Sequence, residues 1–191
     1  MKTKRDYQRL YLRAPYNEPV LYVDGDFVFK ARSLNISEGG LLLDQVPHFP
    51  ESNDDVPLMI SLRQMPLFKN FTLDRLKLYS PEMTENIVVR LKSSMVRKFG
   101  IESKAEQAFT SRVGLRFTDV PHQAEMAIKE YVKVFSSNLI YLQVLIDSLN
   151  TDEQNIEKAR LLASILGYDR DQKISILFKK VQHDYQSLQW L

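Results

Sequence analysis

Apolar and polar residues alternate along much of the N-terminal two thirds of the chain, and this period of two predicts β-strands. The run PVLYVDGDFVFKARSL at residues 19–34 holds two β-prone segments that meet at Asp24-Gly25, a dipeptide that tolerates the positive φ of a tight hairpin turn. Further strands are predicted at residues 40–43, 56–62, 86–99 and 111–117. Strands at short intervals without helices between them favour a closed antiparallel barrel over a parallel sheet.

One segment of the β-rich part and the region after it follow other patterns. Residues 64–83 show no periodicity that separates a helix from a strand, so both alternatives stay open there. After Pro121 the apolar residues take up helical spacing, which predicts a long amphipathic helix that reaches Leu149. Three apolar positions widen its apolar face beyond one core-facing stripe: Val134, Ile140 and Val144.

Two more helices are predicted before the C-terminus. Asn150-Thr151-Asp152 interrupts the long helix, and a second helix follows at residues 153–166, where Gly167 ends it. A third helix begins at Asp169 and runs to the C-terminus. We expect the three helices to pack on one another and on the barrel. The alternative is an interface for a partner or for a homo-oligomer, favoured by the wide apolar face of the first helix.

The amino-acid composition limits the kinds of functional site that the chain can form. The 191 residues are 44% hydrophobic and 26% charged, which is a globular balance, and they include no cysteine, which excludes disulfides, thiolate zinc sites and cysteine nucleophiles. His48, His122 and His183 stand at no metal-ligand spacing, and no glycine-rich phosphate loop or serine-nucleophile motif occurs. We therefore expect no enzyme, no catalytic residue, no metal and no cofactor. Neither a leader nor a membrane-spanning segment is visible, so we expect a cytoplasmic location.

Positive charge concentrates at the N-terminus, although the net charge is only +2. Within the first thirteen positions a single acidic residue, Asp6, accompanies five basic ones: Lys2, Lys4, Arg5, Arg9 and Arg13. Arg5 and Arg9 are four positions apart, and each guanidinium fork could grip a phosphate or pair with O6 and N7 of guanine. A simpler interpretation is a solubilising tail. Tyr11 lies among these charges, and we expect it to pack against the barrel rather than on a base.

A polar segment, NISEGG at residues 35–40, follows the predicted hairpin. An asparagine amide offers a donor and an acceptor to a base edge, and a serine hydroxyl suits a phosphate or a ring nitrogen. Glycines allow a close approach of the backbone to a ligand. Ordinary strand-connecting turns use the same residue types, so this segment alone does not establish a site.

Taken together, Arg-x-x-x-Arg near the N-terminus and Asn-x-Ser-x-x-Gly after a β-hairpin resemble the PilZ family. The resemblance implies a six-stranded antiparallel β-barrel with a binding site for cyclic di-GMP, a bacterial second messenger. It implies five ligand-binding residues: Arg5, Arg9, Asn35, Ser37 and Gly40. Three residues are additional candidates: Lys4, which stands where many members carry arginine, Gly39 and Arg116. Asn35 occupies a position where aspartate is commoner, and the run GLRF at residues 114–117 resembles the family's late strand.

The resemblance covers residues 4–135. It divides the chain into a mainly β, PilZ-like domain at 1–135, with the N-terminal arm and the first part of the following helix, and a helical extension at 136–191. Residues 64–83 are interpreted as an insertion. The implied function is that of a receptor or adaptor that changes its surface on binding cyclic di-GMP and regulates a protein partner, in motility or biofilm control. Two alternatives stay open: a degenerate barrel used only for protein contacts, and a barrel that binds single-stranded nucleic acid.

Overall fold

The β-strands of the protein form one closed sheet. The computed structural model describes residues 10–99, 111–148 and 153–189. Within these residues the strands are β1 (Ala14–Pro15), β2 (Pro19–Asp24), β3 (Phe27–Ser37), β4 (Gly40–Asp44), β5 (Val56–Arg63), β6 (Asn86–Phe99) and β7 (Arg112–Asp119). They pair antiparallel in the order β1-β3-β2-β5-β6-β7-β4, and β4 pairs again with β3. That last pairing closes β2 to β7 into a six-stranded barrel, as the PilZ resemblance implies, with β1 as a further strand on β3.

The hairpin between β2 and β3 has the predicted turn. Asp24 pairs with Phe27, so the connection consists of two residues, and Gly25 adopts a φ of 56°. A positive φ at this position suits the twist of a two-residue hairpin, and glycine adopts it without the steric cost of a Cβ atom. The pattern of local residues is therefore enough to determine the register of this hairpin.

The barrel interior follows the alternation seen in the sequence. Along β5 every second side chain is buried: Val56, Leu58, Ile60 and Leu62. Ile60 pairs with Val20 on β2 and with Val89 on β6, and all three side chains are buried. Each such side chain contributes about 1.5–3 kcal/mol through removal from water, so the hydrophobic face decides the register of neighbouring strands.

The segment at residues 64–83, which the sequence left open, is helical. It contains α1 (Leu73–Leu78) between two single turns of 3-10 helix, and the Thr72 side chain accepts a hydrogen bond from the Arg75 backbone N–H at 3.3 Å. Phe68 packs edge-on against Phe71 and Tyr79, with ring centroids 5.2 and 4.9 Å apart. This aromatic cluster supplies the burial that so short a helix needs, because an isolated helix of this length is unstable.

Three longer helices follow the barrel, as predicted: α2 (His122–Asp147), α3 (Glu153–Ile165) and α4 (Ile174–Gln189). The buried side of α2 includes Ile128, Phe135, Leu139 and Leu142, and the helix packs on the barrel as well as on α3 and α4. Among the described residues, no helix is both long enough and apolar enough to cross a membrane.

The third predicted helix begins later than expected, at Ile174 rather than at Asp169. Gly167, with a φ of 93°, ends α3 as predicted. Asp169 accepts a hydrogen bond from the Asp171 backbone N–H at 3.0 Å, which favours a turn over a helix start. Arg160 on α3 donates to the backbone oxygens of residues 170 and 172 at 2.7 and 3.1 Å, so a contact with another helix holds this segment in its irregular form.

The apolar positions that widen α2 have different environments. Val134 is 8% exposed and belongs to the core, whereas Ile140 and Val144 are 45% and 56% exposed. Val134 is therefore not available to an interface, and a contact through Ile140 and Val144 stays a prediction. The division of the chain at residue 135 also stays a prediction, and residue 135 lies within α2.

Candidate functional site

A bulge in β3 gives the polar segment its orientation. Ser33 pairs with Leu43, but the next pair along the ladder is Asn35 with Leu42, so Leu34 is an extra residue. Before the bulge Ala31 and Ser33 face the core, and Ser33 is fully buried. After the bulge Ile36 is the buried residue, and Asn35 and Ser37 lie on the other face, half-buried. The bulge thus moves the two polar side chains out of the barrel core, which is a known effect of one inserted residue.

The turn between β3 and β4 is closed by its own residues. Ser37 pairs with Gly40, and the Ser37 hydroxyl donates to the Gly40 backbone oxygen at 3.1 Å. The backbone N–H of Phe117 on β7 donates to the Gly39 oxygen at 3.0 Å. The turn is therefore fixed to two strands.

The two glycines of this turn meet different neighbours. A Cβ atom on Gly40 would lie 2.1 Å from the Leu115 backbone oxygen, so β4 and β7 approach closely only because no side chain is present. A Cβ atom on Gly39 would lie 2.9 Å from Cδ2 of the Tyr11 ring. Gly40 therefore has a structural role in the barrel, whereas Gly39 makes room for a residue of the N-terminal segment.

The N-terminal segment is attached to the same end of the barrel, which we call the polar corner and which comprises residues 35–40. Tyr11 contacts Gly39, as expected for packing against the barrel, and it remains 46% exposed. Three residues further on, β1 begins, and it pairs Ala14 with Ile36 and Pro15 with Asn35. Arg5, Arg9 and Lys4 lie outside the described residues.

Buried tyrosines hold β1 in place. Tyr16 donates its hydroxyl proton to the Ser61 backbone oxygen at 2.8 Å, and the Ser33 hydroxyl donates to the Tyr16 backbone oxygen at 2.7 Å. The Tyr131 hydroxyl on α2 donates to the Pro15 backbone oxygen at 3.4 Å. Burial raises the pKa of both tyrosines well above the usual value, so they stay protonated donors at neutral pH.

Arg116 joins the corner from β7. It pairs with Gly40 in the β4–β7 ladder, and its side chain is exposed. Within the described part of the chain Arg116 forms no ion pair, so its charge is available to an anion. The described candidates Asn35, Ser37, Gly39, Gly40 and Arg116 therefore lie at one end of the barrel.

A sequence profile of the PilZ domain matches residues 3–133, more than half of the chain. The chain belongs to the PilZ family. The PilZ family is one of cyclic di-GMP receptors, and the matched range contains the two N-terminal arginines as well as the polar turn. Comparison with curated proteins gives no match.

Two solved structures are similar to this PilZ chain at low sequence identity. The inhibitor of motility MotI/DgrA from Bacillus subtilis is 18% identical with a TM-score of 0.48, and the similarity covers 68% of this chain and 52% of that one. This chain thus spans about half the length of MotI/DgrA. The PilZ domain of YcgR from Escherichia coli, in a structure with c-di-GMP, is 14% identical with a TM-score of 0.37, and the similarity covers 76% of this chain and 100% of that one.

A cavity of about 330 Å³ opens beside Asn35 of the PilZ domain. Its barrel side consists of Arg13, Pro15, Asn17, Leu34 and Asn35, and helix α4 forms the opposite side. Sequence reasoning on the PilZ motifs does not find the α4 residues, because they come from the other end of the chain. No sequence motif connects them to Asn35. The packing of α4 against β1 brings them to it.

A larger cavity of about 470 Å³ lies elsewhere on the barrel, against the outer faces of β2, β5 and β6. Its lining is mostly apolar and includes Leu21, Val23 and Met59 but none of the candidate ligand-binding residues. Arg90 and Lys92 also border it, so positive charge is present there, but the cavity lies away from the polar turn. Among the described residues no group of three potential ligands could hold a metal ion.

Proposed function

We propose that this chain is a cyclic di-GMP receptor that regulates a protein partner when the ligand is bound. Five residues hold the ligand in this proposal: Arg5, Arg9, Asn35, Ser37 and Gly40. Three others are further candidates: Lys4, Gly39 and Arg116. The receptor has no catalytic activity, uses no cofactor and acts in the cytoplasm.

One observation supports the proposed site more than any other, the contact of the Tyr11 ring with Gly39. It places Tyr11, near the C-terminal end of the basic N-terminal segment, against the polar turn, and the pairing of Pro15 with Asn35 continues that contact. Of the two proposed arginines, Arg9 has the shorter connection along the chain to Tyr11, because it precedes Tyr11 by only two residues.

The chemistry of the corner fits the ligand. Cyclic di-GMP carries two phosphodiester anions and two guanine bases. The forks of Arg5 and Arg9 suit both groups, because each can make two parallel hydrogen bonds to phosphate oxygens or to guanine O6 and N7. The Asn35 amide supplies a donor and an acceptor for a base edge, and the Ser37 hydroxyl can accept a further bond. Gly40 keeps the corner free of a side chain while it allows β4 and β7 to meet.

Control of a partner requires a difference in affinity between the free and bound surfaces. The bound ligand adds two guanines and two charges to a corner that arm, turn and α4 share. A partner that contacts this corner then distinguishes the two states, and its binding shifts with ligand concentration. A pulldown with and without cyclic di-GMP identifies such a partner.

Isothermal titration calorimetry with cyclic di-GMP tests the proposal. The unmodified chain is expected to bind saturably, and Arg5→Ala and Arg9→Ala are each expected to weaken binding tenfold or more, since a hydrogen bond to a charged group contributes about 1.5–3 kcal/mol. Arg9→Lys keeps the charge but loses the fork and is expected to bind weakly as well. Arg90→Ala is the matched control, because Arg90 lies on β6 at the apolar cavity away from the polar turn.

The same titrations separate the alternatives. Unchanged affinity in both arginine-to-alanine variants would show that the ligand binds elsewhere. Absence of any cyclic di-GMP binding would favour a barrel used for protein contacts only. Oligonucleotide binding that falls steeply with salt, without binding of the cyclic dinucleotide, would favour the nucleic-acid alternative.

A further inference from the structure

Helix α4 presents a polar face to the cavity beside Asn35. Leu177, Val181 and Leu188 are buried on one side of the helix, and they attach it to the rest of the protein. His183 and Ser187 are four residues apart and therefore lie on one face of the helix. That face borders the cavity. The buried side anchors the helix, so this polar face has a defined position relative to Asn35.

The polar side chains of α4 are held in orientation by one another and by Tyr168, which precedes the helix. Asp184 accepts the Tyr168 hydroxyl proton at 2.7 Å on Oδ2, and His183 Nδ1 lies 3.2 Å from its Oδ1. Both carboxylate oxygens are thus engaged. The imidazole contacts Asp184 through Nδ1, and among the described residues Nε2 has no hydrogen-bond partner. The Ser187 hydroxyl donates to the His183 backbone oxygen at 2.9 Å, which leaves its oxygen lone pairs as acceptors.

The opposite wall of the cavity belongs to the proposed ligand site. Asn35 is the asparagine of the PilZ turn, and Arg13 follows the arm arginines on the same segment. A volume of about 330 Å³ is at the lower end of the range of about 300–1,000 Å³ for small-molecule sites, so it suits one part of a dinucleotide rather than the whole ligand. A ligand group that reaches Asn35 from the arm therefore enters a space whose far side is α4.

We propose that α4 is the second wall of the nucleotide site, where His183 Nε2 and Ser187 Oγ each accept a hydrogen bond from a guanine N–H of the bound cyclic dinucleotide, while the Nδ1–H of His183 donates to Asp184. This inference rests on the proposed function, because the ligand is the one proposed above. It gives the helical extension a function in ligand binding. A ligand that contacts both walls links α4 to the barrel, so ligand binding changes the contacts of the C-terminal helices.

Calorimetry on the full chain tests this. With the unmodified protein binding cyclic di-GMP, His183→Ala is expected to weaken binding about five- to tenfold and Ser187→Ala about threefold. Two controls are expected to bind like the unmodified protein: His122→Ala, which removes an exposed histidine on α2, and Gln182→Ala, which changes an exposed neighbour on α4. His183 is 80% exposed, so its replacement should leave the thermal midpoint unchanged, which separates a ligand contact from a loss of folding.

Hydrogen exchange supplies a second readout. Saturating cyclic di-GMP is expected to slow amide exchange in α4 of the unmodified protein and to slow it less in His183→Ala. If the unmodified protein binds but His183→Ala and Ser187→Ala bind equally well, with no ligand-dependent protection of α4, the helix is not part of the site and the receptor proposal stands. If the unmodified protein binds no cyclic di-GMP, the receptor proposal fails and this inference fails with it.

Discussion

Replacing Gly40 with alanine puts a methyl group into the backbone of the neighbouring strand. The new Cβ atom would lie 2.1 Å from the Leu115 backbone oxygen and 3.2 Å from the Arg116 Cα atom. A carbon atom and an oxygen atom normally approach to about 3.3 Å, so β4 and β7 have to separate by roughly 1 Å at this point. Both partners are backbone atoms, and no side-chain rotation can relieve the clash.

The size of the effect follows from this geometry. Forced backbone shifts cost about 1–3 kcal/mol, and the weakened pairing of Gly40 with Arg116 adds about 1 kcal/mol for a lost ladder hydrogen bond. We expect Gly40→Ala to lower the free energy of unfolding by about 2–4 kcal/mol. For a chain of this size each kcal/mol shifts the thermal midpoint by about 2–4 °C, which gives a decrease of about 4–16 °C.

Gly39→Ala is the matched control for this experiment. Its Cβ atom would meet only the Tyr11 ring, at 2.9 and 3.0 Å, and that exposed ring can move. Neither glycine has a positive φ, so alanine is allowed at both positions apart from the contacts. We expect Gly39→Ala to leave the stability of the barrel within about 0.5 kcal/mol of the unmodified protein and to weaken cyclic di-GMP binding, because it displaces the root of the arm.

Urea unfolding followed by circular dichroism measures the stability of both variants, and calorimetry measures their ligand affinity. A Gly40→Ala protein as stable as the unmodified one would refute the close approach of β4 to β7. Equal loss of stability in both variants would refute the assignment of different roles to the two glycines.

Two further predictions concern the connection between α2 and the segment at residues 64–83, and the response to alkali. Asn138→Ala should cost about 2–4 kcal/mol, measured by urea unfolding, because the buried Asn138 accepts from the Phe68 N–H and donates to the Pro66 oxygen, each at 2.9 Å, whereas Ser137→Ala on the exposed side of α2 should be near neutral. Burial raises the pKa of Tyr22 from 10.0 to about 12, so the folded state holds its proton more tightly than the unfolded state. Stability should therefore be intact below about pH 10 and fall as the pH rises from there towards 12; Tyr22→Phe should reduce that slope, and a flat profile in the unmodified protein would contradict the burial of this hydroxyl.

The position of β1 connects the fold to the proposed mechanism. This strand is only two residues long, yet it pairs with the Asn35 end of β3, receives the Tyr131 hydroxyl bond from α2 and contacts α4. The arm, the polar turn and the C-terminal helices thus meet at one short segment. In the proposed mechanism, β1 is therefore the element through which occupancy of the site reaches the helical extension.

Much of the fold could be predicted because the deciding signals are local. The hairpin turn needs only Asp24-Gly25, and the alternation along β5 requires one buried face whatever its neighbours are. The PilZ resemblance came from two short motifs that the chain carries in full. Strand period, turn chemistry and motif spacing are all contained within a few neighbouring residues.

The remaining features depend on contacts between distant residues. The sequence predicts Asn35 and Ser37 as partners of a ligand. The bulge at Leu34 turns both side chains out of the core, and it shows only in the register between β3 and β4. The third helix starts late because Arg160 binds the segment before it. His183 reaches the cavity of Asn35 only through the burial of one face of α4.

The sequence by itself therefore determined the strands, the three helices and the identity of the polar motif, because each is set by residues close together in the chain. Only the tertiary structure decided which face the motif presents, what lies opposite it and where the last helix begins. Those properties come from packing and hydrogen bonds between segments far apart in the chain. Such contacts contribute energy only once the chain is folded.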